Sequence, residues 1–529
     1  MGAPLKNLSD ERFVPLSWTS AIGYGIAAIA TFHLAFAFRP LGFLVGVFLF
    51  CLCKLTTLRT PRFTFYFGLI LGVSLFAPRL AFFWGIFHYA ALGLWLIAAL
   101  WPALFLILGR GCRRSFPPLL AIMALPILWT GLEYFRSEVY PLRFSWMNVA
   151  MAFPEAGRLG NLGVYGVGFV LMTLAAGLLL LPMKKGVITG AILMAAWAGI
   201  TDWPSTWTPP AVSQSAQPFV VGIQLENVSE EQILAALNEA LIAYPQADLL
   251  VLGEYSFYGP VPKSVHDWCR IHRRYLIVGG TDPANSSSDV YMNTAFVVGP
   301  QGEVAFKQGK CRPIQFFSDG LPAKEQRVWD SPWGKIGLCI CYDLSYRQVT
   351  DALIRDGAGA IIVPTMDLIS WGASEHAEHA RMGPVRAAEY AVPVVRVCSS
   401  GISQIVEPNG QVMATAEFPG QGQRISGRIQ IQPHGRIPLD AWLGPMCVMA
   451  ATIILAALIV CRIRAYSTVT LLARLRGLST LQPRATARMG DLNVTLFFRR
   501  LAQSSGGHGG LRSTVYESGA RHLRSPLRE

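Results

Sequence analysis

Long apolar stretches flank a block of mixed polarity in this chain. Apolar residues predominate before residue 203 and again after residue 439, whereas residues 218–432 mix short apolar runs with polar segments. A helix that crosses a membrane needs about 20 consecutive, mostly apolar residues. The sequence therefore predicts eight transmembrane helices, of which the seventh is the shortest: 17–38, 40–58, 64–87, 89–109, 117–136, 161–182, 187–202 and 440–461.

The middle block has the alternating pattern of an α/β domain. Short apolar runs predict strands at 219–225, 248–252, 275–279, 294–298, 336–341, 361–364 and 394–397. Helices are predicted between them at about 229–244, 263–274, 345–357 and 374–391. Ser229 and Gln232 have the spacing of a capping box at the start of the first helix. Several strands are continuous apolar runs, which indicates burial on both faces and therefore a layered domain.

The pattern divides the chain into five parts. Residues 1–202 form a membrane domain with about seven helices, and residues 203–217 form a linker containing Pro and Ser. The α/β domain follows at 218–432, then a closing membrane helix at 440–461 and an Arg-rich tail at 465–529. From Arg464 onward the chain has eleven arginines and no lysine. Such a tail cannot form a core, so we expect it to be disordered and assign it no function.

Composition and charge support a membrane protein rather than a nucleic-acid-binding one. The chain is 52% hydrophobic and only 15% charged, yet its net charge is +13. Lys and Arg outnumber Asp and Glu by 15 to 6 in residues 1–216 and by 12 to 4 in residues 437–529, whereas residues 217–432 have 17 against 22. A folded nucleic-acid-binding domain normally carries its own basic patch, so the mildly acidic α/β domain argues against that class.

The basic residues also predict how the chain crosses the membrane. If the N-terminus is cytoplasmic, ten Lys and Arg fall on inner segments and four on outer ones, which follows the positive-inside rule. An odd number of spans before residue 217 then places the α/β domain outside the cytoplasm. The first apolar stretch has no clear cleavage site, so we expect it to remain as an anchor.

Cys341 is the candidate nucleophile of the α/β domain. It is the last residue of a predicted strand, beside a turn, where a reactive thiolate is accessible. Cys339, two residues earlier, is the alternative, although its position is more typical of core packing. No Cys-x-x-Cys pair occurs in the domain, and His376 and His379 do not have the His-Glu-x-x-His spacing, so no metal is expected.

Two charged residues are candidates for activating this cysteine. Glu254 follows an apolar strand, where burial would raise its pKa and suit it to act as a general base. Lys310 would place an ammonium beside a developing oxyanion, and Lys307 is the alternative. Taken alone, each of these residues is more typical of a loop or a solvated turn.

In combination these residues resemble a known superfamily. Glu254, Lys310 and Cys341 occur in the order of the Glu-Lys-Cys triad of the nitrilase, or carbon-nitrogen hydrolase, superfamily, and Cys341-Tyr342-Asp343 is similar to its cysteine elbow. Seven spans, such a domain and one closing span resemble the apolipoprotein N-acyltransferase family. Further segments similar to that family are 128–136, 144–148, 163–167 and 379–403.

The sequence also departs from the pattern of this family. Asp343 stands where the family has Glu, and Asp319, in Phe316–Gly320, stands where a Phe-Gly-Glu is usual, so both are candidates for a second acid. Gly253 replaces a common Pro before the base. The interval from Lys310 to Cys341 is short, as in soluble amidases, so we expect a reduced lid. Pro313 matches an amidase-like Lys-x-x-Pro pattern and favours Lys310 over Lys307.

The resemblance implies a multi-pass enzyme of the bacterial inner membrane with a nitrilase-like α/β sandwich on the periplasmic side. Glu254 would be the general base and Cys341 the nucleophile, while Lys310 and the backbone N–H of Tyr342 would stabilise the oxyanion. The reaction would transfer an acyl chain from a phospholipid, through a thioester, to the α-amine of the diacylglyceryl-cysteine of an apolipoprotein, without a cofactor.

Two other functions are compatible with parts of the sequence. A membrane-tethered amidohydrolase would use the same triad with water as the acceptor. A non-enzymatic membrane protein, such as a transporter, should carry ionisable residues deep in its spans. Glu133 and Arg79 lie near the ends of predicted spans rather than deep within them, so the transporter is the weaker alternative.

Overall fold

The computed structural model describes the chain in five segments: residues 14–154, 160–202, 217–283, 290–420 and 422–475. The predicted linker lies outside these segments except for Gln217, and the predicted tail lies outside them beyond Leu475. The described residues up to Ser467 belong to one compact unit.

In the described residues before position 203, the chain forms eight α-helices. Their bounds are Trp18–Ala37 (α1), Val45–Leu55 (α2), Pro61–Arg79 (α3), Phe82–Phe87 (α4), Ala90–Ser115 (α5), Pro118–Tyr134 (α6), Gly163–Gly177 (α7) and Met183–Asp202 (α8). In the described part of the chain, six helical stretches are long and apolar enough to cross a membrane. They correspond to the first, third, fourth, fifth, sixth and eighth predicted spans.

The second and seventh predicted spans are not among those six. The second is divided between a 3-10 helix, Arg39–Leu44, and the 11-residue helix α2. The seventh falls within α8, which has 20 residues. The topology with eight spans therefore stays a prediction.

Small residues allow α3 and α5 to pack closely. Gly68 and Gly72 are four residues apart on α3, and a β-carbon at either position would lie 2.6 Å from the Cα atom of Ala103 or Ala99. Small residues at this spacing let helix backbones approach each other, which favours helix association in lipid. Thr60 caps the start of α3, because its Oγ1 accepts a hydrogen bond from the N–H of Phe63 at 3.2 Å.

The described residues of the α/β domain form two six-stranded sheets. Sheet 1 has the strand order β12-β1-β2-β3-β4-β5, and sheet 2 has the order β11-β10-β9-β8-β7-β6. The strands are Phe219–Ile223 (β1), Leu249–Val251 (β2), Tyr275–Pro283 (β3), Tyr291–Val298 (β4), Val304–Gly309 (β5), Val328–Ser331 (β6), Gly334–Leu338 (β7), Ala360–Thr365 (β8), Val394–Cys398 (β9), Ser403–Val406 (β10), Val412–Ala416 (β11) and Arg424–Arg428 (β12).

The two sheets pack face to face between layers of helices. Buried side chains such as Val251 of sheet 1 and Ile362 of sheet 2 belong to one hydrophobic cluster. The other face of sheet 1 packs against α9 (Glu230–Ala243) and α10 (Lys263–His272), and that of sheet 2 packs against α11 (Arg347–Arg355) and α13 (Met382–Tyr390). The predicted layered α/β sandwich is therefore confirmed.

The strands and helices predicted within this domain are present in the structure, but some begin or end at other residues and one helix is divided. The capping box of α9 is present, with hydrogen bonds of 3.3 Å from the Gln232 N–H to Ser229 Oγ and 2.8 Å from the Ser229 N–H to Gln232 Oε1. The strand predicted over 336–341 ends early, at Leu338. The helix predicted over 374–391 is divided into α12 (Ala373–Ala380) and α13.

The closing helix is longer than predicted. It runs from Asp440 to Leu475 (α14), so the expectation that disorder begins at residue 465 is wrong for residues 465–475. Asp440 Oδ2 accepts a hydrogen bond of 2.8 Å from the backbone N–H of Tyr165, and Asp440 also pairs with Arg347 of α11. These contacts fix the first turn of α14 against both α7 and the α/β domain.

Candidate active site

Cys341 lies in a turn that follows strand β7. The strand ends at Leu338, and Cys341 begins a 3-10 helix, Cys341–Ser345, with a φ of +51°. A positive φ is uncommon for a residue other than Gly and costs about 1–3 kcal/mol, so surrounding contacts must hold it. At this turn the backbone changes direction, so the Cys341 side chain does not continue the alternating pattern of the strand that precedes it.

Asp343 holds this turn in place. Its carboxylate accepts hydrogen bonds from the backbone N–H groups of Ile340 at 3.2 Å, Cys311 at 3.1 Å and Arg312 at 2.7 Å. Burial raises the pKa of Asp343 to about 6, although the charge of Lys310 and these hydrogen bonds oppose the rise. Asp343, one of the two candidate second acids, therefore connects the Cys341 turn to the two residues that follow Lys310.

Glu254 follows strand β2 and is held at both carboxylate oxygens. Its Oε1 accepts from Lys310 Nζ at 2.8 Å and from Asn293 Nδ2 at 2.6 Å, and its Oε2 accepts from the Met366 N–H at 2.8 Å. Burial raises the pKa of Glu254, while the ammonium of Lys310 lowers it. The result is an oriented carboxylate with a raised pKa, which is what a general base requires.

Lys310 lies between two carboxylates. Its Nζ is 2.8 Å from Glu254 Oε1 and 2.7 Å from Asp319 Oδ2. Burial alone would lower the pKa of Lys310, but Glu254 and Asp319 outweigh it and hold the pKa well above the usual range. Lys307, in contrast, is half-exposed and pairs with Asp282 at 2.5 Å. The structure thus brings Lys310 to Glu254 and leaves Lys307 elsewhere.

Asp319 is the acid that contacts this pair. Besides Lys310, its carboxylate accepts from Asn293 Nδ2 at 2.8 Å, Tyr255 Oη at 2.9 Å and the Ile314 N–H at 2.7 Å. These bonds connect the loop that carries Asp319 to strand β4 and to the residue after Glu254. Of the two candidate second acids, Asp319 is the one next to Lys310.

The Cys341 thiol lies within the field of these charges. Its Sγ is 3.8 Å from the carbonyl oxygen of Met366, the residue whose N–H binds Glu254. Burial raises the pKa of Cys341 and the charge of Glu254 adds to the rise, whereas Lys310 lowers the pKa. The thiol is therefore protonated at rest, and attack requires a base to remove its proton.

A cavity of about 330 Å³ reaches Cys341 from the helical region. Its walls come mainly from α4, α5 and the segment 311–317, together with Trp146, Tyr342 and His379. Most of these side chains are apolar, including Phe82, Phe83, Ile86, Phe87, Leu94 and Ile97. The site thus combines a polar catalytic group with an apolar compartment, as many sites for small molecules do.

Two family models match this chain. Residues 25–178 match the apolipoprotein N-acyltransferase N-terminal domain, and residues 220–430 match the carbon-nitrogen hydrolases. Similar proteins include the apolipoprotein N-acyltransferase of Geobacter metallireducens, 22% identical over 427 residues that cover 67% of this chain and 79% of the relative. That of Chromobacterium violaceum is 23% identical over 490 residues, covering 80% of this chain and 92% of the relative.

The chain belongs to the apolipoprotein N-acyltransferase family. The resemblance predicted from the triad and the flanking apolar spans is therefore confirmed, as is the nitrilase-type fold of the α/β domain. Solved structures that match part of this chain include a carbon-nitrogen hydrolase from Helicobacter pylori G27, with a TM-score of 0.36 and 17% identity over 41% of this chain and 91% of that chain. Saccharomyces cerevisiae Nit3 has a TM-score of 0.36 and 20% identity over 42% of this chain and 93% of that chain.

Sequence reasoning missed three residues of this site. Asn293, which bonds both Glu254 and Asp319, is a polar residue within the apolar strand β4, and a buried polar group of that kind must find a partner. In the sequence, His379 was considered as a metal ligand and as part of a family-like segment, but not as a neighbour of Cys341. Its partner Asp367, which follows β8, carried no signal in the sequence because the two come together only in the folded domain.

Where the structure describes the chain, two groups of side chains have potential metal-ligand atoms within 4.8 Å of one another: Cys341, Asp367 and His379, and Asp367, Glu375 and His376. Asp367 belongs to both groups, and its oxygens already bind His379 and Arg396. A cation there would face the buried guanidinium of Arg396 and meet like-charge repulsion. We therefore assign no metal to either group.

Proposed function

We propose that this chain transfers an acyl chain from a membrane phospholipid to the α-amine of the N-terminal diacylglyceryl-cysteine of apolipoproteins. The observation that carries the proposal is the apolar cavity that leads from α4 and α5 to Cys341. A soluble amidase with water as acceptor has no need of such a wall. Membership in the apolipoprotein N-acyltransferase family supports the same reaction.

In the first half-reaction, Cys341 takes the acyl chain from the phospholipid. Glu254 removes the thiol proton, Sγ attacks the ester carbonyl carbon, and the C–O bond to the glycerol oxygen breaks. Glu254 returns the proton to that oxygen, so a lysophospholipid leaves and a thioester remains. The ammonium of Lys310 and the backbone N–H of Tyr342 stabilise the oxyanion of the tetrahedral intermediate.

In the second half-reaction, the amine of the acceptor attacks the thioester carbonyl carbon. The C–N bond forms, the C–S bond breaks, and Glu254 relays a proton to the departing Cys341 Sγ. Asp319 holds Lys310 in place through both steps, because the buried ammonium of Lys310 contacts the Asp319 carboxylate as well as that of Glu254. No cofactor takes part in this scheme.

The apolar wall suits an acyl chain. Phe87 of α4 contacts the rings of Phe316 and Phe317, with centroids 6.2 and 5.7 Å apart, so α4 and the segment 311–317 enclose the cavity together. A chain that lies between them would place its ester carbonyl near Cys341. Both substrates are anchored in lipid, and confinement to a membrane raises their effective concentration at the site.

The location follows from the charge pattern and is part of the proposal. We place the chain in the bacterial inner membrane, crossing it eight times, with the α/β domain on the periplasmic side. The excess of Lys and Arg on the predicted inner segments supports this orientation. A reporter enzyme that is active only in the cytoplasm tests the orientation. Fused after residue 432, the reporter should be inactive; fused after Arg464, it should be active.

The reaction is tested with purified protein in lipid nanodiscs. Phospholipid with a labelled acyl chain is added first, followed by a diacylated lipopeptide with a free α-amine. We expect the label to move to the lipopeptide and a lysophospholipid to form in equal amount. Release of free labelled fatty acid with no labelled lipopeptide would instead identify a hydrolase that uses water.

A matched control uses the same lipopeptide with its α-amine acetylated. This acceptor retains the diacylglyceryl group and the peptide but has no nucleophile. We expect it to receive no label, whereas label transfer to it would show that another group of the lipopeptide is acylated.

A further inference from the structure

His379 lies next to the nucleophile without being part of the Glu-Lys-Cys triad. A ring nitrogen of His379, an oxygen of Asp367 and Sγ of Cys341 lie within 4.8 Å of one another. His379 is buried, lines the cavity that reaches Cys341, and packs against Trp146 with ring centroids 5.0 Å apart. Its position is therefore beside the carbonyl of a thioester on Cys341.

The contacts of His379 determine which of its nitrogens carries the proton. Nδ1 is 2.8 Å from Asp367 Oδ1, and the other oxygen of Asp367 pairs with the buried Arg396. Although burial opposes ionisation, Arg396 and His379 hold the pKa of Asp367 far below its usual range. An ionised Asp367 accepts the Nδ1–H, so Nε2 carries a free lone pair.

That lone pair has no hydrogen-bond partner among the residues that the structure describes. Burial lowers the pKa of His379, and the charges of Arg396 and Lys310 lower it further, so the ring is neutral at rest. An unpaired acceptor in a buried cavity costs free energy unless a ligand supplies a donor. The groups that face the ring are Asp367, Glu375, Arg396, Lys310 and Cys341.

The second half-reaction needs such an acceptor. An α-amine has a pKa of about 7.7–8.0, so the acceptor arrives mainly as an ammonium at neutral pH. An amide nitrogen keeps one of the three N–H protons, and two must leave. Glu254 relays one of them to Cys341 Sγ as the C–S bond breaks. The other proton must leave before the nitrogen can attack, and because the Glu254 carboxylate carries one proton at a time, a second base beside Cys341 is suited to remove it.

We propose that His379 Nε2 accepts the first proton of the incoming ammonium, as a base that serves only the discharge of the acyl-enzyme. The nitrogen lone pair exposed in this way forms the C–N bond, Glu254 passes the second proton to Cys341 Sγ as the C–S bond breaks, and the imidazolium is stabilised by the Asp367 carboxylate that it contacts through Nδ1. The proton then returns to water at the mouth of the cavity. This inference rests on the proposed acyl transfer and deepens it.

The test separates the two half-reactions in His379→Asn. We expect the variant to form the labelled acyl-enzyme on Cys341 at close to the wild-type rate, because Glu254 is intact. Discharge by the diacylated lipopeptide should be slower by roughly 100-fold, at the lower end of the range for loss of a general base. Discharge by hydroxylamine, which is already uncharged at neutral pH, should proceed at the wild-type rate.

Several results would overturn the inference. Lipopeptide discharge at the wild-type rate would do so, and so would an equal loss with lipopeptide and hydroxylamine, because that result indicates distortion of the site. Loss of acyl-enzyme formation would instead make His379 the base for Cys341. If the wild-type protein forms no acyl-enzyme from phospholipid, the proposed function fails, and that failure is distinct from these outcomes.

A control and a rescue complete the design. His376→Asn removes a buried imidazole from the same helix, where the ring stacks on Phe418, and it should leave lipopeptide discharge unchanged. His379→Ala leaves space for a small base, so added imidazole should restore lipopeptide discharge in that variant. Lack of rescue in a folded His379→Ala protein that still forms the acyl-enzyme would contradict the proposed proton transfer.

Discussion

Lys310 Nζ lies 2.8 Å from Glu254 Oε1, and both side chains are completely buried. A buried charge is stable only when it is paired and hydrogen-bonded, and Lys310 meets this condition with a second carboxylate, Asp319, at 2.7 Å. The pair therefore serves two purposes. It keeps an ammonium beside Cys341, and it orients the carboxylate that must receive the thiol proton.

Replacing Lys310 should abolish acyl-enzyme formation. Lys310→Met removes the ammonium and leaves Glu254 and Asp319 as two buried acids without their cation, so the rate should fall by at least about 100-fold. Lys307→Met is the matched control, because Lys307 is half-exposed and pairs with Asp282 away from Glu254. Single-turnover labelling with phospholipid measures both. An equal loss in the two variants would contradict the assignment of Lys310.

Replacing Asn293 should change the pH dependence of the first half-reaction. Acyl-enzyme formation needs ionised Glu254, so its rate falls as the pH drops through the pKa of Glu254. The hydrogen bond from Asn293 stabilises the ionised form. Asn293→Leu removes that donor, the pKa rises, and the acidic limb of the rate profile should move up by about 1 pH unit.

Asn238→Leu is the control for this shift, because Asn238 bonds Trp268 and does not contact Glu254. Its acidic limb should coincide with that of the wild-type protein. An unchanged limb in Asn293→Leu, or one displaced to lower pH, would be inconsistent with Glu254 as the base.

Asp343 should matter for stability through the turn that holds Cys341. Asp343→Asn replaces an ionisable acceptor of three backbone N–H groups with a side chain that has one acceptor oxygen. We expect the loss of at least one of these bonds and a fall of about 5 °C in the thermal unfolding midpoint. Asp330→Asn, at an exposed position, is the control. Equal midpoints for the two variants would exclude this role.

The packing of α3 against α5 predicts a selective effect of adding a methyl group. A β-carbon at Gly72 would lie 2.6 Å from Ala99 Cα, so Gly72→Ala must separate the helices and should lower the thermal unfolding midpoint. Gly93→Ala on α5 meets no atom within 4 Å and should not lower it. Scanning fluorimetry in detergent compares the two, and a lower midpoint for Gly93→Ala would argue against this explanation.

Local sequence signals predicted much of the α/β domain. The Ser229–Gln232 capping box and the apolar runs of β1 to β4 and β7 to β9 depend on neighbouring residues, so they could be recognised without the fold. Strands β5, β6 and β10 to β12 were missed. Strands β11 and β12 at sheet edges, for example, mix exposed and buried residues and lack a continuous apolar run.

The site was predicted only where its residues follow apolar strands or match the order of a family's triad. Glu254, Lys310 and Cys341 could be proposed from their order and their resemblance to a family. Asn293, Asp367 and His379 depend on contacts between strands and helices distant in sequence, such as the 2.8 Å pair between His379 and Asp367. The early end of β7 at Leu338 was missed because the three residues after it remain apolar or Cys.

The central claim is that Cys341 carries the acyl chain. The most direct test is mass spectrometry of the protein after incubation with labelled phospholipid and no acceptor, followed by proteolysis and mapping of the thioester. Cys339 is a neighbouring buried cysteine and an internal control, so Cys339→Ser should retain the adduct and Cys341→Ser should lose it. An adduct that maps to Cys339, or that persists in Cys341→Ser, would contradict the account.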